Sequence, residues 1–175
     1  MNKNDGLFII FTGEGKGKTT MALGMALRAT GSGLRTTILQ FIKHQEAGEH
    51  RALVRMSLPG MEILRLGTGF VRGDPPPREA VDAARRALAV AQKKIAEGDF
   101  SIVVLDEVFP ALAAGLISEQ DLRCLVDLRP AGVHVVMTGR GAPAWAIERA
   151  DLVTEMRCIK HPGDLGAEAQ AGIEF

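Results

Sequence analysis

The stretch FTGEGKGKTT, residues 11–20, decides the fold. Gly13, Gly15 and Gly17 alternate with Glu14 and Lys16, and Lys18-Thr19-Thr20 follow. A phosphate cradle needs a strand that delivers a tight turn, backbone N–H groups converging inward, and a helix N-terminus beyond. Glycine lets the backbone approach an anion with no Cβ in the way. The helix start adds unpaired N–H groups and a favourable dipole. LFIIF (residues 7–11) reads as the strand, and the alanine- and leucine-rich run 18–29 as the helix. On this reading Gly13, Glu14, Gly15, Lys16, Gly17, Lys18, Thr19 and Thr20 line a triphosphate site. Lys18 counters phosphate charge, and the Thr19 hydroxyl is placed to bind Mg²⁺ or Mn²⁺.

The spacing departs from the common G-x-x-x-x-G-K-[ST], which would put glycine at Thr12 instead of Gly13. A dinucleotide fingerprint competes and fails twice. Its third glycine would fall at Lys18, and the second strand runs out at Gln40-Phe41 without a ribose-binding acid. A chance glycine-rich basic turn is the other alternative. A second motif argues against chance. IVVLDE (residues 102–107) is an apolar strand ending in two carboxylates, Asp106 and Glu107. Parallel strands open their C-terminal ends onto one ligand edge, so one or both acids sit near a metal held by Thr19. Capping of the next helix is the plainer role for them.

Outward from these motifs, TTILQF (36–41), SIVVLD (101–106) and VHVVMT (133–138) are short, β-branched and nearly continuously apolar, as in a parallel sheet covered on both faces. MEILRL and DLVTEM are weaker strands. Val81, Ala84, Leu88, Ala91 and Ile95 form a helical stripe over 79–96, stopped by Gly98. Ser118 and Asp121 form a capping box for SEQDLRCLVDL. Met21, Met25 and Leu27 are expected to pack the first helix on the sheet, and Trp145 to pack another helix. The glycines and prolines of GTGFVRGDPPPRE make a loop, either one that moves over a ligand or an inert connection. The alternation of strand and helix gives an α/β fold, a P-loop NTPase-like (RecA-like) three-layer sandwich with a mostly parallel central sheet, as one domain over 1–175.

Composition narrows the function. Among 175 residues, 21 basic side chains balance 21 acidic ones, so no general nucleic-acid binding is expected. Neither a signal peptide nor a membrane span is read. Cys124 and Cys158 lack metal-ligand spacing and read as isolated core thiols of a cytoplasmic protein.

FTGEGKGKTT, LQFIK, GTGF, VVLDE, MTGRG and the ending DLVTEMRCIKHPGDLGAEAQAGIEF together resemble the P-loop type of ATP:corrinoid adenosyltransferase, over nearly the whole chain. The resemblance implies that cobalt in the Co(I) state of a corrinoid attacks the 5′ carbon of ATP and that triphosphate leaves. It implies ATP held in reverse relative to ordinary P-loop enzymes, a homodimer, and a reduced flavoprotein as electron donor. Lys18, the loop amides and a Thr19/Glu107-bound metal would stabilise departing charge, with Lys16 assisting. Phe70 matches an aromatic that displaces the lower cobalt ligand. Arg140 contacts phosphate or the corrin's side chains, or else forms a surface ion pair. His161 and Lys160 fall in the matching tail without a derivable role.

Three departures stand out. Many members carry Asn at Glu14, some carry Trp at Arg72, and some carry a longer basic N-terminal segment than MNKND. A carboxylate at Glu14 is unfavourable beside triphosphate unless it turns outward or meets the metal or a lysine. The runner-up function is a conventional P-loop ATPase or small-molecule kinase, and a nucleotide-dependent switch or carrier is a third class.

Overall fold

A computed structural model describes residues 6–71 and 73–174. Six strands form one sheet: β1 (Phe8–Thr12), β2 (Thr36–Gln40), β3 (Met61–Arg65), β4 (Ile102–Asp106), β5 (His134–Thr138) and β6 (Leu152–Glu155). Their order is β3-β2-β4-β5-β1-β6, and every pairing is parallel. The helices are α1 (Lys18–Gly31), α2 (Gly48–Met56), α3 (Arg78–Glu97), α4 (Val108–Ala113), α5 (Glu119–Asp127) and α6 (Ala144–Arg149).

The side-chain alternation of the strands builds two cores, one on each face. Phe8, Ile10, Leu39, Val103, Leu105, Val135 and Met137 pack under α3 and α5. Ile9, Phe11, Ile38, Val104 and Val136 face α1. The four central strands are buried on both sides, which is why they read as continuous apolar runs. MEILRL and DLVTEM supply the two edges, β3 and β6. The α3 stripe packs as its periodicity requires: Ala84, Leu88, Ala91 and Ile95 are buried, and Gly98 closes the helix in the left-handed conformation. Ser118 caps α5 with Asp121 at the third helical position.

Two packing expectations are corrected. Met21 and Leu27 are exposed; the buried face of α1 is Ala22, Ala26 and Ala29, with Met25 only partly covered. These alanines let the helix lie close on the sheet, where an added leucine at Ala26 would overpack by about 1–3 kcal/mol. Both cysteines are exposed, not in the core. Cys124 lies on the outer side of α5, where Gln120 Nε2 donates to its Sγ, and Cys158 lies past the edge strand β6.

Residues 66–71 and 73–77, between β3 and α3, have no regular structure; Arg72 and the MNKND segment lie outside the described residues. No described helix is long and apolar enough to cross a membrane.

Candidate functional site

All six strands point their C-terminal ends to one edge, and the motifs converge there. The glycine loop leaves β1, turns at Gly13 (φ 94°) and enters α1 through Gly17 (φ 112°). At Gly13 a Cβ would stand 2.4 Å from the Met156 carbonyl oxygen, so the loop lies tight against the chain leaving β6. Gly15 N–H donates to the same carbonyl at 2.7 Å, which pins the outer rim of the loop. No side chain caps α1 and no acidic residue occupies its first turn. Its leading N–H groups therefore stay available to an anion. Lys18 Nζ donates to the Gly13 and Gly15 carbonyls, each at 2.7 Å, so the ammonium braces the loop from within.

Asp106 and Glu107 divide at the end of β4. Asp106 is only 1% exposed. Its Oδ1 accepts from Thr19 Oγ1 at 2.9 Å and Thr138 Oγ1 at 2.7 Å, and its Oδ2 accepts from Gln40 Nε2 at 3.1 Å. Glu107 turns the other way and lines the cavity. Its backbone is left-handed at φ 58°, an uncommon conformation for a residue with a Cβ, and its N–H donates to Thr138 Oγ1 at 2.9 Å. Gly139 lets the end of β5 pass α4, since a Cβ there would lie 2.3 Å from Pro110 Cδ.

The cavity at this edge measures about 1100 Å³. It is lined by the loop and start of α1 from Lys16 to Thr20, by Glu107, Thr138 and Arg140, and by Lys43, Glu49 and Phe70. Phe70 is 86% exposed, an aromatic ring offered to the cavity with little to pack against. A smaller adjoining cavity of about 480 Å³ runs past Glu14, Lys16, Arg140 and His161. His161 Nδ1 accepts from Gly163 N–H, a turn-capping role.

Charge is arranged in pairs around this space. Arg140 Nη1 lies 3.1 Å from Glu14 Oε2, so the carboxylate at Glu14 meets an arginine, not a lysine. Lys16 Nζ lies 3.6 Å from Glu174 Oε1. Lys43 Nζ donates to Glu49 Oε1 at 2.7 Å. Burial, then the nearby Arg140 charge, lowers the Lys18 pKa, while Glu14, Glu107 and Asp106 oppose that. Burial, then the Asp106 carboxylate, pushes the Glu107 carboxyl above the ordinary range. A carboxyl raised this way gains from a cation placed beside it.

The oxygen donors Thr19 and Glu107, with Asp106 behind Thr19, suit a hard cation such as Mg²⁺. Among the described residues no group of three or more His, Cys, Asp or Glu forms a metal cage. Mg²⁺ at nucleotide sites is commonly completed by phosphate oxygens and water.

Sequence reasoning brought Thr19, Asp106 and Glu107 to one place because parallel strands share an edge. It gave no role to Thr138, Gln40, Lys43 or Glu49. Thr138 ends β5 within MTGRG, so its place at the ligand edge was readable. Lys43 belongs to LQFIK, and α2, which carries Glu49 and His50, is a nine-residue helix whose buried side chain is the polar His50.

Residues 4–175 match the model of a family described as ATP:corrinoid adenosyltransferase BtuR/CobO/CobP. The chain is 37% identical over 170 residues to a corrinoid adenosyltransferase of Pseudomonas aeruginosa, covering 97% of this chain and 84% of the relative. It is 39% identical over 172 residues to one of Sinorhizobium sp, covering 97% and 80%. It is 37% identical over 171 residues to one of Escherichia coli K12, covering 97% and 86%.

Proposed function

The chain belongs to the ATP:corrinoid adenosyltransferase family, and from that premise we propose how its own residues divide the work of the transfer. The reaction moves the 5′-deoxyadenosyl group of ATP to the Co(I) centre of a corrinoid. The cobalt electron pair forms the cobalt–carbon bond, the C5′–oxygen bond breaks with its pair on oxygen, and triphosphate departs. Co(I) is already a strong nucleophile, so the protein needs no base to activate it. Its tasks are to hold two substrates in line and to stabilise negative charge on the leaving group.

The observation that carries the reading is a 14-residue helix with a bare N-terminus facing a cavity of about 1100 Å³. The uncapped start of α1 and the loop from Gly13 to Thr20 receive the triphosphate. Lys18 shifts its donors from the loop carbonyls to phosphate oxygens. Lys16 and Arg140 do the same, leaving Glu174 and Glu14. Such exposed ion pairs are worth only about 0–1 kcal/mol, and charge-assisted bonds to phosphate are stronger, so the exchange is favourable. Thr19 and Glu107 would hold Mg²⁺, and Asp106 orients Thr19 by accepting a hydrogen bond from its hydroxyl. The cation, when bound, neutralises charge on the departing triphosphate.

The adenosyl end then points away from the loop, toward Phe70, in the reverse of the usual nucleotide orientation. The exposed Phe70 ring supports a role at the corrin face, where it displaces the lower cobalt ligand and eases reduction to Co(I). A reduced flavoprotein is the proposed electron donor and a homodimer the proposed assembly, both on family resemblance.

Product identification tests the reading. With ATP, Mg²⁺ and chemically reduced corrinoid, adenosylcorrinoid and intact triphosphate are expected in equal amounts. ADP and phosphate would indicate a conventional P-loop enzyme, and tight binding without products a carrier.

A further inference from the structure

Behind Asp106 runs a buried polar chain that the transfer as described does not use. Gln40, at the end of β2, is fully buried and donates from Nε2 to Asp106 Oδ2 at 3.1 Å. Its Oε1 lies 2.8 Å from His50 Nε2. His50 is itself buried, in the first turn of α2, and its Nδ1 accepts from the Ala47 N–H at 2.9 Å. An Nδ1 that accepts carries no proton, so in the neutral ring the proton sits on Nε2. His50 therefore donates to Gln40 Oε1. This decides which way the Gln40 amide faces: its oxygen is committed to His50, so its NH₂ must face Asp106. A flipped amide would set donor against donor at His50 and acceptor against acceptor at Asp106.

We propose that His50 is a positioning residue for the metal–triphosphate site: acting through Gln40, it fixes the plane of the Asp106 carboxylate and hence the direction of the Thr19 hydroxyl. The chain spans Ala47, His50, Gln40, Asp106 and Thr19, with each bond 3.1 Å or shorter. The Thr19 and Thr138 hydroxyls hold only Oδ1 of the Asp106 carboxylate. The third donor, at Oδ2, restrains the opposite side and so narrows rotation about the Cβ–Cγ bond further. The same helix start presents Glu49, paired with Lys43, on the cavity wall. The relay thus ties that wall to the loop that grips the leaving group.

The inference rests on the proposed hold of Thr19 on the metal, with Asp106 orienting it, and its test separates that reading from the relay. ATP binding to the full chain is measured by calorimetry in EDTA and across a Mg²⁺ titration, with thermal melting in parallel. His50→Leu keeps the bulk and removes both hydrogen bonds. Direct partners of metal ligands typically change metal affinity by about 10–100-fold. His50 acts from further out, so about three- to tenfold more Mg²⁺ should be needed for half-maximal tightening. ATP affinity in EDTA should stay within about twofold, and His50→Gln, with one donor and one acceptor, should recover part of the loss. Gln40→Leu carries the same expectation should His50→Leu fail to fold. Thr19→Val with unchanged Mg²⁺ dependence would remove the metal reading itself, and Asp106→Asn with unchanged dependence would remove the relay. A shift in Asp106→Asn but none in His50→Leu would remove only the relay. An equal loss of ATP affinity with and without Mg²⁺ would make His50 a purely structural residue and overturn the proposal.

Discussion

Thr19 Oγ1 donates to Asp106 Oδ1 at 2.9 Å, joining residues 87 positions apart at the mouth of the sheet. The bond uses the hydroxyl proton and leaves an oxygen lone pair facing outward. Thr19→Ser preserves that arrangement and should keep kcat/KM within about threefold. Thr19→Val, of nearly equal shape, leaves Asp106 short of a donor and removes a metal ligand. It should lose at least about tenfold in kcat/KM, in line with the cost of disturbing a metal site. Steady-state rates at fixed Mg²⁺ check this, and equal activity of the two variants would contradict the role.

Lys18 braces the loop through two carbonyls and turns to phosphate when the triphosphate binds. Preorganised charge of this kind is commonly worth about a hundredfold or more per group, or about 2.7 kcal/mol. Lys18→Ala should therefore lower kcat by at least about a hundredfold. Single-turnover rates with reduced corrinoid provide the measurement, and near-normal turnover would take Lys18 out of the mechanism.

Glu107 makes a stability prediction with a definite sign. Burial, then Asp106, raises its pKa, so the folded chain binds a proton there more readily than the unfolded chain. The resulting penalty is absent below the unfolded-state value of about 4.3, grows as pH rises toward the folded value, and is constant above it. Glu107→Gln removes the penalty. The variant should melt at a higher temperature than the parent at pH 7 without nucleotide, and the gap should close toward pH 4. Its transferase activity should fall. Melting curves across that range test the sign, and a less stable variant at pH 7 would refute it.

Phe70 is the exposed aromatic of the cavity. If its ring displaces the lower cobalt ligand, it matters before reduction and little afterwards. Phe70→Ala should slow the reaction from Co(II) by at least about tenfold more than the reaction from pre-reduced Co(I), a difference of about 1.4 kcal/mol. Parallel assays from the two oxidation states make the comparison, and equal slowing would contradict the assignment.

Glu14 holds Arg140 at 3.1 Å beside the loop. Glu14→Asn removes a carboxylate from the triphosphate's neighbourhood and frees Arg140. ATP affinity should rise about two- to fivefold at low salt, consistent with the modest worth of exposed pairs. The gain should shrink toward 1 M salt, where the screening length falls to about 3 Å. Calorimetry at two ionic strengths is sufficient, and weaker binding in the variant would mean that Glu14 supports the site.

Much of this architecture was legible because it follows from local rules. Central strands buried on both faces must be apolar throughout, so residues of β1, β2, β4 and β5 declared themselves. Parallel strands end on one edge, so Thr19 and Asp106 could be brought together without coordinates. The misread features depended on partners far away in sequence. The buried face of α1 follows its small alanines rather than its larger Met21 and Leu27, because the helix lies close on the sheet. His50 is polar and sits in a short helix; its bonds to Gln40 and to the Ala47 N–H are what let it be buried. The ion pairs Arg140–Glu14 and Lys16–Glu174 join loops that no periodicity relates.

The most direct measurement is a crystal structure of the full chain with ATP and Mg²⁺. The account predicts triphosphate along the backbone amides from Gly13 to Thr20, Lys18 on its oxygens, the cation at Thr19 and Glu107, and C5′ turned toward Phe70. Triphosphate bound elsewhere, or the terminal phosphoryl group directed at Phe70 with the ribose leading away, would contradict it.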